Sequence, residues 1–228
     1  MSEIKAAIFD IGATLVTGPP VAPNKVIAGL VSGVAAADIA SVIMTTQLTC
    51  ADGVCRAIES RFGSIDQDAK AGISQLWQSQ SSAAMEITGA TEAVLALKRN
   101  GLRIGLLSDI WNPYYDSVTK ALPRVIEAAD AITLSYETGS RKPNPNNFIS
   151  ALDDLGVKPS EAVMIGDTYS HDILPALEVG MKAVWVLARP GREVESIIDI
   201  LNGNAPAPTA TVNNIVDVPS LHLWTSKS

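Results

Sequence analysis

The chain has 228 residues, 47% hydrophobic and 18% charged, which is enough apolar material for one large domain or a domain with an insertion. The formal net charge of −7 and the lack of a Lys/Arg-rich stretch argue against nucleic acid and anionic membrane surfaces as partners. No apolar run approaches the ~20 residues needed to span a bilayer, and the N-terminus lacks a signal-peptide pattern. We therefore expect a cytoplasmic protein, in which Cys50 and Cys55 are reduced thiols.

Short apolar runs rich in β-branched residues alternate with helical patterns along most of the chain. The predicted strands are residues 5–10, 103–109, 131–137, 162–167, 182–187 and 211–217. Helical patterns over 92–101, 144–156 and 173–180 each end in a glycine, which is typical of a helix C-terminus. This alternation predicts an α/β fold of three layers, with a parallel sheet covered by helices on both faces.

Residues 17–88 interrupt the alternation, because they contain helical patterns rich in Ala, Ser and Gln and no convincing strand. We expect them to form a small all-helical second domain. The α/β core then consists of residues 1–16 and 89–228.

Polar residues stand where the predicted strands end. In chain order they are Asp10, Ser108, Asp109, Lys142, Asp167 and Asp172. Ligands of open α/β sheets bind at the carboxyl ends of the strands, so we expect these side chains to face one crevice. Carboxylate oxygens suit Mg²⁺, whereas Lys and Ser suit phosphate oxygens. Asp10 is then placed to act as a nucleophile.

Four segments, FDIGATL, LLSD, GSRKPNPNNF and IGDTYSHDI, resemble the ordered motifs of the haloacid dehalogenase superfamily. The segment EVGMKAVWV after the last motif also resembles this family. The resemblance covers nearly the whole chain. It implies a Rossmann-like core with a helical cap inserted after the first motif.

The resemblance implies a Mg²⁺-dependent phosphatase that acts on a small phosphorylated metabolite. Asp10 attacks the phosphorus atom and becomes an aspartyl-phosphate, while Ser108 and Lys142 hold phosphate oxygens. Asp109, next to Ser108, is assigned to substrate binding as well. Thr14 is expected to brace the first loop, and the cap to close over the site and exclude water.

The resemblance also implies a set of metal ligands. Asp10 and Asp167 supply carboxylate oxygens, and Gly12 supplies its backbone carbonyl. Asp172 acts at the metal through water or orients Lys142.

One position departs from the family pattern. Most phosphatases of this superfamily carry a second Asp two residues after the nucleophile, which protonates the leaving group and then activates water. Here that position is Gly12, and the usual following Gly is Ala13. General acid–base catalysis typically contributes 10²–10⁴-fold, so we expect turnover that is slow or limited to good leaving groups. Asp109, a cap residue or water are candidates to substitute for the missing acid.

Three alternatives remain open. The first is a non-catalytic protein that binds a phosphorylated ligand or a partner. The second is a 2-haloacid dehalogenase, and the third is a phosphonoacetaldehyde-type hydrolase with Lys25 as its Schiff-base lysine. A dehalogenase needs a basic or amide cradle for halide near the start of the cap, yet no Arg occurs before Arg56 in this region. Specificity is expected to lie in cap segments such as QLTCADGVCR or LWQSQSS, and both a monomer and a homodimer fit the sequence.

Overall fold

The computed structural model describes residues 3–224, which contain a six-stranded parallel sheet and a two-stranded antiparallel ribbon. The sheet strands lie in the order β5-β4-β1-β6-β7-β8. The eight strands are β1 (Ala6–Phe9), β2 (Val16–Thr17), β3 (Met85–Glu86), β4 (Arg103–Ser108), β5 (Ala131–Leu134), β6 (Ala162–Gly166), β7 (Lys182–Val186) and β8 (Ala210–Val212).

Helices cover both faces of this sheet, as the sequence predicts. The α-helices are α1 (Pro23–Leu30), α2 (Ala36–Ile43), α3 (Ala51–Phe62), α4 (Gln67–Gln80), α5 (Ala90–Arg99), α6 (Asn112–Ala121), α7 (Pro123–Ala128), α8 (Ser135–Thr138), α9 (Pro145–Leu155), α10 (Leu174–Glu178) and α11 (Val194–Leu201). None of the helices within residues 3–224 is both long and apolar enough to cross a membrane.

The central strand β1 is completely buried, because it pairs with β4 on one side and β6 on the other and is covered on both faces. Its side chains point alternately into two apolar layers, one containing Ala7 and Phe9 and the other Ala6 and Ile8. The chain runs from β1 outward through β4 and β5 and then returns to β6 on the other side of β1. The carboxyl end of β1 is therefore the topological switch point, where ligands of such sheets bind.

Two predicted strands end at least three residues before the sequence patterns do, whereas the other four differ by no more than one residue at either end. The pattern over 131–137 extends beyond β5, which ends at Leu134 opposite Ser108, the last residue of its partner β4. The pattern over 211–217 likewise extends beyond β8, whose Val212 pairs with Val186, the last residue of β7. Beyond these points the chain has no neighbouring strand to pair with, and it turns into α8 and into a 3-10 helix over Ile215–Ser220.

Residues 17–88 contain the four helices α1 to α4, which pack around an apolar cluster of their own. The prediction that this region lacks a strand is wrong at its ends, because Thr17 and Met85 pair in the β2–β3 ribbon. Trp111, from the loop after β4, inserts into the cluster and makes an edge-to-face contact with Trp77 at 5.5 Å between ring centroids. A side chain of the core thus anchors the helical segment.

We expect Gly166→Ala to destabilise the protein, because a Cβ at this position would lie 2.5 Å from the Asp172 side chain. Overpacking of this kind costs about 1–3 kcal/mol in the free energy of unfolding. Gly29→Ala in α1 is the matched control. A Cβ there meets nothing within 4 Å, and removing a helical glycine stabilises by about 0.5–1 kcal/mol. Urea unfolding of both variants measures the two shifts, and equal shifts would contradict this packing.

Candidate active site

Asp10 directly follows β1 at the switch point, and its backbone N–H donates to the Ile165 carbonyl at 2.9 Å. Its side chain is 9% exposed. Its Oδ1 accepts a hydrogen bond from Lys142 Nζ at 2.6 Å, and its Oδ2 accepts one from Thr14 Oγ1 at 3.2 Å. The bond from Thr14 braces the first loop in the way that the sequence predicts.

Lys142 is buried, and its ammonium group lies between two carboxylates. Its Nζ is 2.6 Å from Asp10 Oδ1 and 2.6 Å from Asp172 Oδ1, and it also donates to the Leu107 carbonyl at 3.3 Å. Three separate strand ends therefore supply the partners of one ammonium group.

Asp109 holds the loop that presents Lys142. Its Oδ1 accepts from the Lys142 backbone N–H at 2.9 Å, and its Oδ2 lies 3.5 Å from Arg141 Nε. Oδ1 is thus hydrogen-bonded to the neighbouring loop, and Oδ2 lies beside the Arg141 guanidinium without a hydrogen bond to its Nε. This geometry favours a positioning role for Asp109 over the role of replacement acid.

Asp167 and Asp172 complete an acidic cluster with Asp10. One carboxylate oxygen from each of the three lies within 4.8 Å of the others. Asp167 is paired with Arg189, whereas Asp172 is turned toward the site by a π-helical turn over Tyr169–Ile173. In that turn the Thr168 backbone N–H donates to Asp172 Oδ2 at 3.0 Å.

The cluster holds more negative than positive buried charge. Burial, together with the charges of Asp172 and Asp167, raises the pKa of Asp10 to about 7 despite the ion pair with Lys142. Burial alone would lower the pKa of Lys142, but the charges of Asp10 and Asp172 raise it above its ordinary value. Burial also raises the pKa of Asp167. A bound divalent cation would offset this excess of negative charge.

The donor set fits Mg²⁺, which prefers carboxylate, carbonyl and water oxygens. The carboxylates of Asp10 and Asp167 are directed into the same cluster. The Gly12 carbonyl, which follows Asp10 by two residues, accepts no backbone hydrogen bond from residues 3–224. It is therefore free to bind a ligand.

Gly12 leaves open space where most superfamily phosphatases have the second Asp. A Cβ added to Gly12 would meet no atom within 4 Å, and the residue lines a cleft of about 640 Å³. Ala13 adopts φ of 62°, a left-handed conformation that a glycine would adopt without strain. Ser108, at the end of β4, is buried.

Four polar residues of the cleft are absent from the sequence prediction: Thr17, Tyr114, Arg189 and Arg192. Gln80 belongs to the LWQSQSS segment, whereas no residue of QLTCADGVCR lines the cleft. Burial and the charge of Asp10 raise the pKa of Tyr114 to about 12, and its hydroxyl donates to the Thr17 carbonyl at 3.1 Å. Arg189 lies three residues after the end of β7, so a cation shortly after a predicted strand was the signal that could have identified it.

Comparison with known proteins gives the class of protein that this fold and site define. Residues 4–180 match the family model of haloacid dehalogenase-like hydrolases, and the chain belongs to that family. It is 36% identical over 100 residues to glyceraldehyde 3-phosphate phosphatase of Pyrococcus furiosus, covering 44% of this chain and 41% of that protein. It is 31% identical over 153 residues to N-acylneuraminate-9-phosphatase of Rattus norvegicus, covering 64% of this chain and 56% of that protein. The matches thus span about half the length of these relatives.

Solved structures share the fold. The 2-haloacid dehalogenase of Pseudomonas syringae pv. Tomato DC3000 superposes with a TM-score of 0.64 at 19% identity, over 95% of this chain and 97% of that one. A magnesium complex of a family enzyme from Bacteroides thetaiotaomicron superposes with a TM-score of 0.59 at 21% identity, over 80% of this chain and 92% of that one.

We expect Lys142→Met to destabilise the metal-free protein by about 3–5 kcal/mol at pH 8, because it leaves buried carboxylates without their cation. Carboxylates with raised pKa values take up protons as the pH falls, and a protonated carboxyl group no longer needs the cation. The loss of stability caused by Lys142→Met should therefore shrink between pH 8 and pH 5. Urea unfolding at both pH values measures the difference.

Lys25→Met is the matched control for this prediction. Lys25 is exposed and outside the cleft, so its loss should change stability by less than about 0.5 kcal/mol at either pH. A Lys142→Met variant that behaves like this control would contradict the ion-pair account.

Proposed function

We propose that the protein is a Mg²⁺-dependent phosphatase that acts on a small phosphorylated metabolite through an aspartyl-phosphate at Asp10. The observation that carries the proposal is the contact of Lys142 Nζ with both Asp10 and Asp172 at the switch point of the sheet. The names of the similar phosphatases give phosphorylated metabolites as their substrates, which supports the proposal.

Asp10, Asp167 and the Gly12 carbonyl would hold the Mg²⁺. The metal would neutralise phosphate charge and orient the phosphoryl group. Asp172 would orient Lys142, because its Oδ1 lies 2.6 Å from Lys142 Nζ, and it would act at the metal through water. The magnesium complex of the related enzyme supports this choice of metal.

In the first step an Asp10 carboxylate oxygen forms a bond to phosphorus, and the bond from phosphorus to the leaving oxygen breaks. Lys142 and Ser108 hold phosphate oxygens and thereby stabilise the charge that develops on them. In the second step water forms a bond to phosphorus and releases phosphate and the Asp10 carboxylate. Lys142 remains protonated in both steps, because its pKa is raised.

No side chain at position 12 can supply a proton to the leaving oxygen in the first step or accept one from water in the second. Esters whose leaving group departs as a stable anion avoid the first difficulty. We therefore propose slow turnover that favours such leaving groups.

We also propose that residues 17–88 act as a cap over this site and exclude water from it. Their apolar cluster is separate from those of the core. Pro19, Pro20 and Met44 from this segment line the cleft together with Gly12 from the core. A substrate in the cleft would contact both parts.

A dehalogenase is the second candidate, because Gly12 is compatible with an Asp10 that attacks carbon. Release of chloride from 2-chloropropionate tests it, and we expect none.

A binding protein without turnover is the other candidate that Gly12 favours. It predicts stoichiometric trapping of BeF₃⁻ with no hydrolysis of any ester. The phosphonoacetaldehyde-type reading loses support, because the exposed Lys25 does not line the cleft.

We expect purified protein to hydrolyse p-nitrophenyl phosphate with Mg²⁺, and both EDTA and Asp10→Asn to abolish this activity. Asparagine keeps the shape of Asp10 but removes the nucleophilic charge. The initial rate of p-nitrophenol release is the measurement. Activity that survives Asp10→Asn would refute the proposed nucleophile.

Gly12→Asp should accelerate hydrolysis of alkyl phosphates, which have poor leaving groups, by up to about 10²–10⁴-fold, because space for the side chain exists. Gly12→Asn is the matched control, since it has the same shape but cannot transfer the proton. The ratio of kcat for an alkyl ester to kcat for p-nitrophenyl phosphate measures the effect. Equal ratios in the two variants would mean that the missing acid is not what limits turnover.

A further inference from the structure

The cleft beside Gly12 has walls that are mostly apolar. The apolar side chains that line it include Pro19, Pro20, Val21, Met44, Ile87 and Ile110. Its volume of about 640 Å³ is ordinary for a small-molecule site. Side chains of this kind offer no hydrogen bond to a hydroxyl group, so the few polar side chains decide which substrate groups are recognised.

Gln80, at the end of α4, contributes a fixed hydrogen-bond donor. It is 2% exposed, and its Oε1 accepts from Trp111 Nε1 at 3.3 Å. An indole N–H can only donate, so this bond fixes which end of the amide faces Trp111. The Gln80 Nε2 group makes no hydrogen bond to another residue in the range 3–224. Since Gln80 lines the cleft, this group is available to a substrate.

Arg192 contributes a free cation to the same cleft. It lies in the 3-10 turn Pro190–Arg192 after β7 and is exposed. Its guanidinium makes no ion pair with any described residue, in contrast to Arg189, which is paired with Asp167. Arg192 can therefore bind an anion without giving up a partner.

The Asp109 carboxylate of the cleft already has a cation beside it. Its Oδ1 accepts from the Lys142 backbone N–H, and its Oδ2 lies 3.5 Å from Arg141 Nε without a hydrogen bond. Among the polar side chains that line the cleft, the Gln80 amide N–H₂ and the Arg192 guanidinium are donors without a partner in residues 3–224, and the guanidinium is charged. A polyol needs acceptors for its hydroxyl hydrogens, whereas a carboxylate offers only acceptors and a negative charge.

We propose that the substrate is a phosphomonoester whose leaving group carries a carboxylate, bound by the Gln80 amide and the Arg192 guanidinium. This inference rests on the proposed phosphatase function and adds the chemical class of its substrate. Gln80 belongs to the helical segment, and Trp111 of the core orients its amide. The carboxylate would therefore be bound by residues of both parts.

A pair of aryl esters tests the charge directly. In 3-carboxyphenyl phosphate and 3-carbamoylphenyl phosphate the substituents have nearly the same shape, and the phenol leaving groups need no acid. We expect kcat/KM to be about tenfold to a hundredfold higher for the carboxylate, which is the usual contribution of a charge-assisted hydrogen bond.

Two variants test the assigned residues. Gln80→Glu keeps an oxygen for Trp111 but replaces the free donor by an anion, and Arg192→Gln removes the cation. Each should lower the ratio of kcat/KM for the carboxylate ester to that for the carboxamide ester by about tenfold, mainly through KM. Arg99→Gln, an exposed arginine on α5 away from the cleft, is the matched control and should leave the ratio unchanged.

Binding without turnover gives a second readout. With Mg²⁺ present, calorimetry should show tighter binding of 3-phosphoglycerate than of glycerol 3-phosphate, and Gln80→Glu should remove the difference. Hydrolysis of both aryl esters with equal efficiency would overturn the carboxylate inference while the phosphatase stands. A preference that survives both variants would overturn the assignment to Gln80 and Arg192. If the protein neither hydrolyses nor binds any phosphate ester, that result would overturn both the phosphatase proposal and this inference.

Discussion

The buried ion pairs of Lys142 determine what the rest of the site can do. One ammonium group holds Asp10 from β1 and Asp172 from the π-helical turn after β6, and each contact measures 2.6 Å. Buried charges are tolerated only when they are paired, so the loop of Lys142 and both strand ends must come together for the fold to be stable. The pairing also favours the anionic form of Asp10, against the burial that raises its pKa, next to the place where a phosphoryl group would be bound.

Most phosphatases of the superfamily combine residues that bind metal and phosphate with a proton donor two residues after the nucleophile. This chain has Gly12 at the position of that donor. The residues that we propose to hold metal and phosphate are grouped around Lys142, while a side chain at position 12 would have open space. Asp109 does not fill the gap, because it braces the loop that presents Lys142. The Tyr114 hydroxyl lines the same cleft, but it is occupied by the Thr17 carbonyl. Chemistry is therefore expected to depend on the leaving group and on water.

The sheet and the acidic cluster were predictable from the sequence, because each depends on local signals. Buried strands such as Ala162–Gly166 appear as continuous apolar runs, and Asp10 and Asp167 follow such runs directly. Strand ends were overestimated, because the pairing partner that ends a strand is distant in sequence. The contribution of Gln80 to the cleft was not predictable to the residue, because it depends on how α4 packs against Trp111.

The central claim is that Asp10 becomes phosphorylated and that Gly12 leaves the second step without a base. Rapid mixing of protein, Mg²⁺ and p-nitrophenyl phosphate, followed by an acid quench and peptide mass spectrometry, tests both parts together. The account predicts a burst of about one p-nitrophenol per protein, with a phosphoryl group on the peptide that contains Asp10. Steady release without a burst, and with no phosphoryl group on that peptide, would contradict it.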